Sequence, residues 1–175
     1  MLSMLWLLTF FGLFHTVLGR QQPGIPELRQ LFFEASQHEK QADLLFDKVG
    51  NYGGDEGILI AYKAGAHALK AKYSANPINK IRHIKKAQHY FSEAVQRDNK
   101  NLEIRFMRYA VEVQTPRGLG LSHHVAEDKA MLLEGLKKYP DSGFTAETAT
   151  ITKNFMQAHC DCTSEEKQFV AQWKP

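Results

Sequence analysis

Lys86-Ala87-Gln88-His89-Tyr90-Phe91-Ser92-Glu93-Ala94-Val95-Gln96-Arg97-Asp98-Asn99 is the stretch whose reading decides the fold. Ala87, Phe91 and Ala94 stand four and three residues apart, which puts them on one face of an α-helix, and Asn99 follows as a turn residue. Upstream, Asn76-Pro77 breaks the pattern, since a residue before proline is pushed out of helical geometry. A helix from about Asn79 to Asp98 therefore buries Ile81, Ile84, Ala87, Phe91, Ala94 and Val95. Downstream of Asn101, Leu102, Phe106, Tyr109 and Val113 form one apolar stripe and Ile104, Met107 and Val111 a second. Two stripes require burial on two sides. Arg105, Arg108 and Glu112 occupy the remaining strip, where Arg108 and Glu112 are spaced to pair across one turn.

The same periodicity covers the rest of the body, and no window alternates as a strand would. A first helix is expected from about Pro26 to Val49, ended by the glycines around Gly53 and Gly54. A second, from about Asp55 to Ser74, carries Ala61, Ala64, Ala68 and Ala71, small side chains that let another helix approach closely. After the loop with Pro116, Gly118 and Gly120, a fifth begins at a Ser122 cap and runs to about Tyr139. A sixth spans about Ala146 to His159. A seventh spans about Ser164 to Trp173 and opens on a Thr163/Glu166 capping box.

The small–aromatic–small stripe closed by a turn residue resembles the second helix of a tetratricopeptide repeat. Leu132, Gly135 and Pro140 fall 41 residues after Phe91, Ala94 and Asn99, longer than the repeat's usual period of about 34, and Asp128 stands where the first unit has Ala87. The resemblance covers roughly Ile58 to Pro140. Together with Asn76-Pro77, Lys85-Lys86-Ala87 and Asn101-Leu102-Glu103-Ile104-Arg105-Phe106, it is similar to a group of small exported bacterial proteins of the cell envelope. It implies an all-α array of about seven antiparallel helices, an α-solenoid, and an interaction scaffold without catalysis.

Met1 to Gly19 is dominated by apolar side chains and holds no Lys, Arg, Asp or Glu, with Val17 and Gly19 at signal-peptidase spacing. A cleaved secretory signal is the first expectation, and a membrane anchor over residues 1–19 the alternative. Residues 20–25 then form a short tether to a single domain over 26–175. The protein is expected to be exported, periplasmic or secreted. Two cysteines, Cys160 and Cys162, are too few for a disulfide framework. Their bridging to each other would close a very small ring, so free thiols or an intermolecular bond are equally expected.

Charge is segregated. Between Glu56 and Glu93 there is no acidic residue, while Lys63, Lys70, Lys72, Lys80, Arg82, Lys85 and Lys86 are all basic, in a chain of formal charge +3. This surface suits an acidic protein segment or an anionic membrane. Nucleic acid is excluded as a partner class because aromatic and basic residues do not interleave and no binding motif is present. His123 and His124 diverge by about 100° on a helix and do not share a metal ion. His159, Cys160, Asp161 and Cys162 are the densest set of potential ligands, without standard zinc spacing. An enzyme or metal site centred there is the competing reading, and a membrane-held structural subunit is a third. No phosphate loop, nucleophile elbow or zinc-protease helix occurs, and no cofactor is expected.

The sequence therefore predicts a protein or peptide partner in a concave groove, with the second and fourth helices on its inner side. The groove residues expected to bind are Tyr62, Lys63, Lys70, Arg105, Arg108 and Glu112, and Arg82, Lys85 and Lys86 form a second contact surface.

Overall fold

A computed structural model describes residues 24–175. The apolar block 1–19 and most of the expected tether lie outside the described residues. Among the described residues no helix is long and apolar enough to cross a membrane.

These residues form eight α-helices and no strand: α1 (Ile25–Ala35), α2 (Glu39–Val49), α3 (Gly57–Tyr73), α4 (Pro77–Arg97), α5 (Leu102–Gln114), α6 (Val125–Lys137), α7 (Ala146–His159) and α8 (Ser164–Gln172). One 3-10 turn, Arg117–Leu119, lies between α5 and α6. The count exceeds the expected seven because the segment read as one helix over Pro26–Val49 is two. The Ser36 hydroxyl donates to the Phe33 carbonyl, which turns the chain. Side chains of α3 then take carbonyls freed at the end of α1: Tyr73 Oη donates to Ala35 O at 3.0 Å and Lys72 Nζ to Ser36 O.

Local chemistry starts most of the other helices. Pro26 sits in the first turn of α1. Asn76 and Asn101 cap α4 and α5 by accepting from backbone N–H groups two and three residues on. Thr145 and Thr163 each close a capping box. Helix α6 differs from expectation: it begins at Val125, and the Ser122 hydroxyl donates to the Glu112 carbonyl instead of capping it.

Consecutive helices pack on one another, and α1 also meets α3, α3 meets α5, and α5 meets α7. Two apolar cores result. The first holds Leu28, Leu45, Tyr62, Ala87 and Phe91 beneath α1–α5, and the second holds Leu132, Leu136, Phe144, Met156 and Val170 beneath α5–α8. Helix α5 serves both, Ile104 and Met107 entering the first and Leu102 and Tyr109 the second. The two stripes read in its sequence are thus two interfaces. Helix α3 is buried over most of its length, and its alanines let α4 lie close along it.

The link between α7 and α8 corrects the cysteine expectation. Cys160 and Cys162 form a disulfide with Cα atoms 5.1 Å apart. The segment is non-helical there, and in extended chain residues two apart face the same side.

Candidate functional site

Where α1, α3, α5 and α7 face a common space, their side chains line a cavity of about 770 Å³. That lies within the range of ligand-sized clefts. Its wall is apolar: Phe32 from α1, Leu69 from α3, Phe106 and Val111 from α5, and Ile151 and Phe155 from α7. Phe106 and Phe155 meet edge to face with ring centroids 5.6 Å apart. Phe33, Ile81 and Leu119 stand on the lip, with 54%, 41% and 43% of their surface exposed.

A polar network closes one end. Arg29 donates from Nε to Glu103 Oε1 at 3.0 Å, from Nη2 to Glu103 Oε2 at 2.8 Å, and from Nη1 to Glu147 Oε2 at 2.7 Å. Tyr62 Oη donates to Glu103 Oε1. Hydrogen bonding to Glu103 raises the Arg29 pKa against the opposing effect of burial. Burial first, then the charge of Glu103, raises that of Tyr62. Both groups keep their protons, and the network ties α1, α3, α5 and α7 together at this end.

The charged residues expected to contact a partner sit elsewhere. Arg105, Arg108 and Glu112 are buried away from the cavity, while Tyr62, also buried, lines it. Arg108 does not pair with Glu112 as the spacing suggested: it donates from Nε to Asp128 Oδ2 and from Nη2 to Asp128 Oδ1, both at 2.7 Å. Arg105 donates from Nη1 to the same carboxylate at 3.0 Å, also to Glu127, and from Nε and Nη2 to the Asn99 carbonyl at 3.0 and 2.9 Å. Burial alone would lower the Arg108 pKa, and the Asp128 carboxylate more than offsets it. The Arg105 hydrogen bond holds the Glu127 carboxyl below its usual range. Glu112 instead accepts from the His124 backbone N–H at 2.7 Å and lies 2.8 Å from its Nδ1. These side chains fasten α6 to α5.

Lys63 donates to the Tyr52 carbonyl at 2.7 Å and lies 4.1 Å above the Tyr90 ring, while Lys70 pairs with Asp43 at 2.6 Å. Between α3 and α4, His67 and His83 place Nδ1 atoms 3.0 Å apart. The buried His67 is pulled down to about pKa 4 by burial, then by the charges of His83, Lys86 and Lys63. Arg82, Lys85 and Lys86, all on α4, are the exposed members of the expected set, and Lys70 is partly exposed beside Asp43.

Among the described residues no group of three or more histidine, cysteine, aspartate or glutamate side chains converges to hold a metal ion. His159 tilts against Phe155 with ring centroids 4.6 Å apart, and Cys160 and Cys162 are spent on each other.

Of the expected binding residues Tyr62 lines the groove, and the apolar wall around it was not among them. Its signal was the second stripe on α5, where Met107 and Val111 recur at four-residue spacing on a helix already carrying one apolar face. No protein-family model matches this sequence, and no curated protein or solved structure matches it.

Proposed function

We propose that this chain is a non-catalytic binding module of the bacterial cell envelope, built as an array of antiparallel helix pairs resembling tetratricopeptide repeats. Its groove takes an amphipathic helix or apolar peptide of a protein partner. The observation that carries this reading is the mainly apolar groove faced by α1, α3, α5 and α7, at which Arg29, Tyr62 and Glu103 are already hydrogen-bonded to one another. A helix laid in such a groove anchors through apolar side chains at one-turn spacing. Affinity comes from Phe32, Phe106, Val111 and Phe155 rather than from Arg105, Arg108 or Glu112, whose hydrogen bonds are already made internally. The helix contacts support the array: each of α1, α3 and α5 touches its successor two helices on, as inner helices of stacked pairs do. Export accords with the apolar block at residues 1–19 and with a Cys160–Cys162 bridge, a bond that oxidising compartments maintain.

The test is a photo-crosslinking residue at Ala158, which is exposed and lines the groove, in cells expressing the full chain. The expected adduct is a polypeptide with apolar residues at helical spacing, lost when the exposed lip carries Phe33→Glu and Leu119→Glu and the circular dichroism spectrum is unchanged. A lipid adduct, or a polypeptide adduct indifferent to the lip variants, overturns the reading. The mass of the recovered protein and its fractionation decide between cleavage and anchoring at residues 1–19.

A further inference from the structure

We infer that the outward face of α4 is a docking surface for an anionic phospholipid bilayer. At about 100° per residue, Ile78, Ile81, Arg82, Lys85 and His89 fall within an arc of about 100°, with Lys86 about 40° beyond it. Ala87, Phe91 and Ala94, the buried stripe, lie on the opposite side. The two isoleucines are 77% and 41% exposed, at the N-terminal end of the helix, where an apolar side chain has no folding reason to face water.

The cations beside them are not engaged. Arg82, Lys85 and Lys86 are exposed and make no ion pair among the described residues, whereas Lys48, Lys70 and Lys129 on other helices each hold a carboxylate within 3.0 Å. The first acid of α4 is Glu93, and it faces Arg97 at 3.9 Å. On neighbouring α2, Asp43 is neutralised by Lys70. From Ile78 to Ser92 the helix itself carries cations and no acid, so its own contribution to the field of this face is positive over about three turns.

An acidic peptide would meet the cations but would want a cleft, and Arg82, Lys85 and Lys86 line neither the groove nor the smaller pocket beside α5. A bilayer needs no cleft. Lysine and arginine sit at the anionic headgroups while short apolar side chains enter the acyl boundary, the arrangement of interfacial helices. Ile78 and Ile81 are placed to enter and Arg82, Lys85 and Lys86 to hold. The face adjoins the groove at Ile81, but Ile78, Arg82, Lys85 and Lys86 do not line the groove, so changes at those four positions test membrane docking apart from partner binding.

The test labels Ile78→Cys with an environment-sensitive fluorophore in the full chain, where Cys160 and Cys162 are already joined. A label at exposed Gln157→Cys on α7 is the reference for any membrane contact through residues 1–19. Vesicles of phosphatidylcholine with phosphatidylglycerol are expected to blue-shift the label at position 78 and leave that at 157 unchanged. Pure phosphatidylcholine leaves both unchanged. Lys85→Glu with Lys86→Glu should raise the lipid concentration for half-maximal shift by at least about tenfold, and added salt should do the same to the unmodified face. No shift at position 78, a shift equal at 157, or a shift indifferent to the charge reversal overturns the proposal. Binding of an acidic polypeptide without any vesicle response assigns the face to a protein instead.

Discussion

Replacing Asp128 with alanine should be the most damaging single change in the α5–α6 interface. The carboxylate is fully buried and accepts three hydrogen bonds, two at 2.7 Å from Arg108 and one at 3.0 Å from Arg105. The guanidinium side chains are only 4% and 6% exposed. Without Asp128, Arg105 keeps the Asn99 carbonyl and Glu127, but Arg108 keeps only Glu127 at 3.5 Å on the solvent side. Breaking a buried pair by removing one partner costs about 3–5 kcal/mol, because the other charge stays buried. Against a typical total of about 5–15 kcal/mol that is a large fraction, equivalent to a fall in melting temperature of roughly 10 °C. Urea unfolding followed by far-ultraviolet circular dichroism reads it. The apolar triple variant Asp128→Ala, Arg105→Leu, Arg108→Met should recover most of the loss, since no charge is then stranded. A loss below about 1 kcal/mol for Asp128→Ala, or a triple variant as unstable as the sum of its parts, would refute this account of the cluster.

Two further outcomes follow from close packing and from protonation. A Cβ at Gly135 would sit 2.5 Å from Leu102 Cδ1 and 2.9 Å from Phe144 Cε2, so Gly135→Ala should destabilise by about 1–3 kcal/mol in the same urea assay despite its better helix propensity. His67 is neutral when folded, with a pKa near 4 against an ordinary 6.5, so the unfolded chain binds the extra proton between those values. Its contribution, at most about 3 kcal/mol, is whole above pH 6.5 and drains as pH falls toward 4. The stability slope across that window should flatten in His67→Phe; an unchanged slope would assign it to other groups.

What the sequence disclosed was whatever local chemistry or periodicity alone decides. Ala87, Phe91 and Ala94 are all buried, as their spacing requires, and so are Asp128, Leu132 and Gly135 in the register 41 residues on. The break between α1 and α2 was hidden for a physical reason. Ala35 and Ala42 are two turns apart, so the apolar stripe runs through the turn as if the helix continued. What stabilises the break is Lys72 and Tyr73, 36 and 38 residues away from the carbonyls they satisfy. The charged groove suffered from the same blindness. Spacing along α5 pairs Arg108 with Glu112, and only the approach of α6 supplies the better partners, Asp128 and His124. The cysteine pair was misjudged because residues two apart diverge on a helix, but they share a side in the extended link that the chain adopts there.

The departure of Asp128 from the stripe is then best understood as a device for choosing partners. The α4 stripe, which packs chiefly on α3, and the α6 stripe, which packs on α5, are nearly the same surface, a small or short side chain, a large apolar one and another small one: Ala87, Phe91, Ala94 against Asp128, Leu132, Gly135. Apolar shape alone would distinguish them weakly, and α5 carries apolar residues on two sides. Arg105 and Arg108 resolve the ambiguity. Packed against the α4 stripe they would be buried opposite Ala87 with no carboxylate, at a cost of several kcal/mol each; packed against α6 they meet Asp128. A buried charge cluster adds little net stability compared with well-packed apolar residues, so its value here lies in excluding the wrong pairing. The same partition explains the outer surface: the cations of α5 are consumed in setting the order of helices, while those of α4, where the stripe is apolar, are left facing outward.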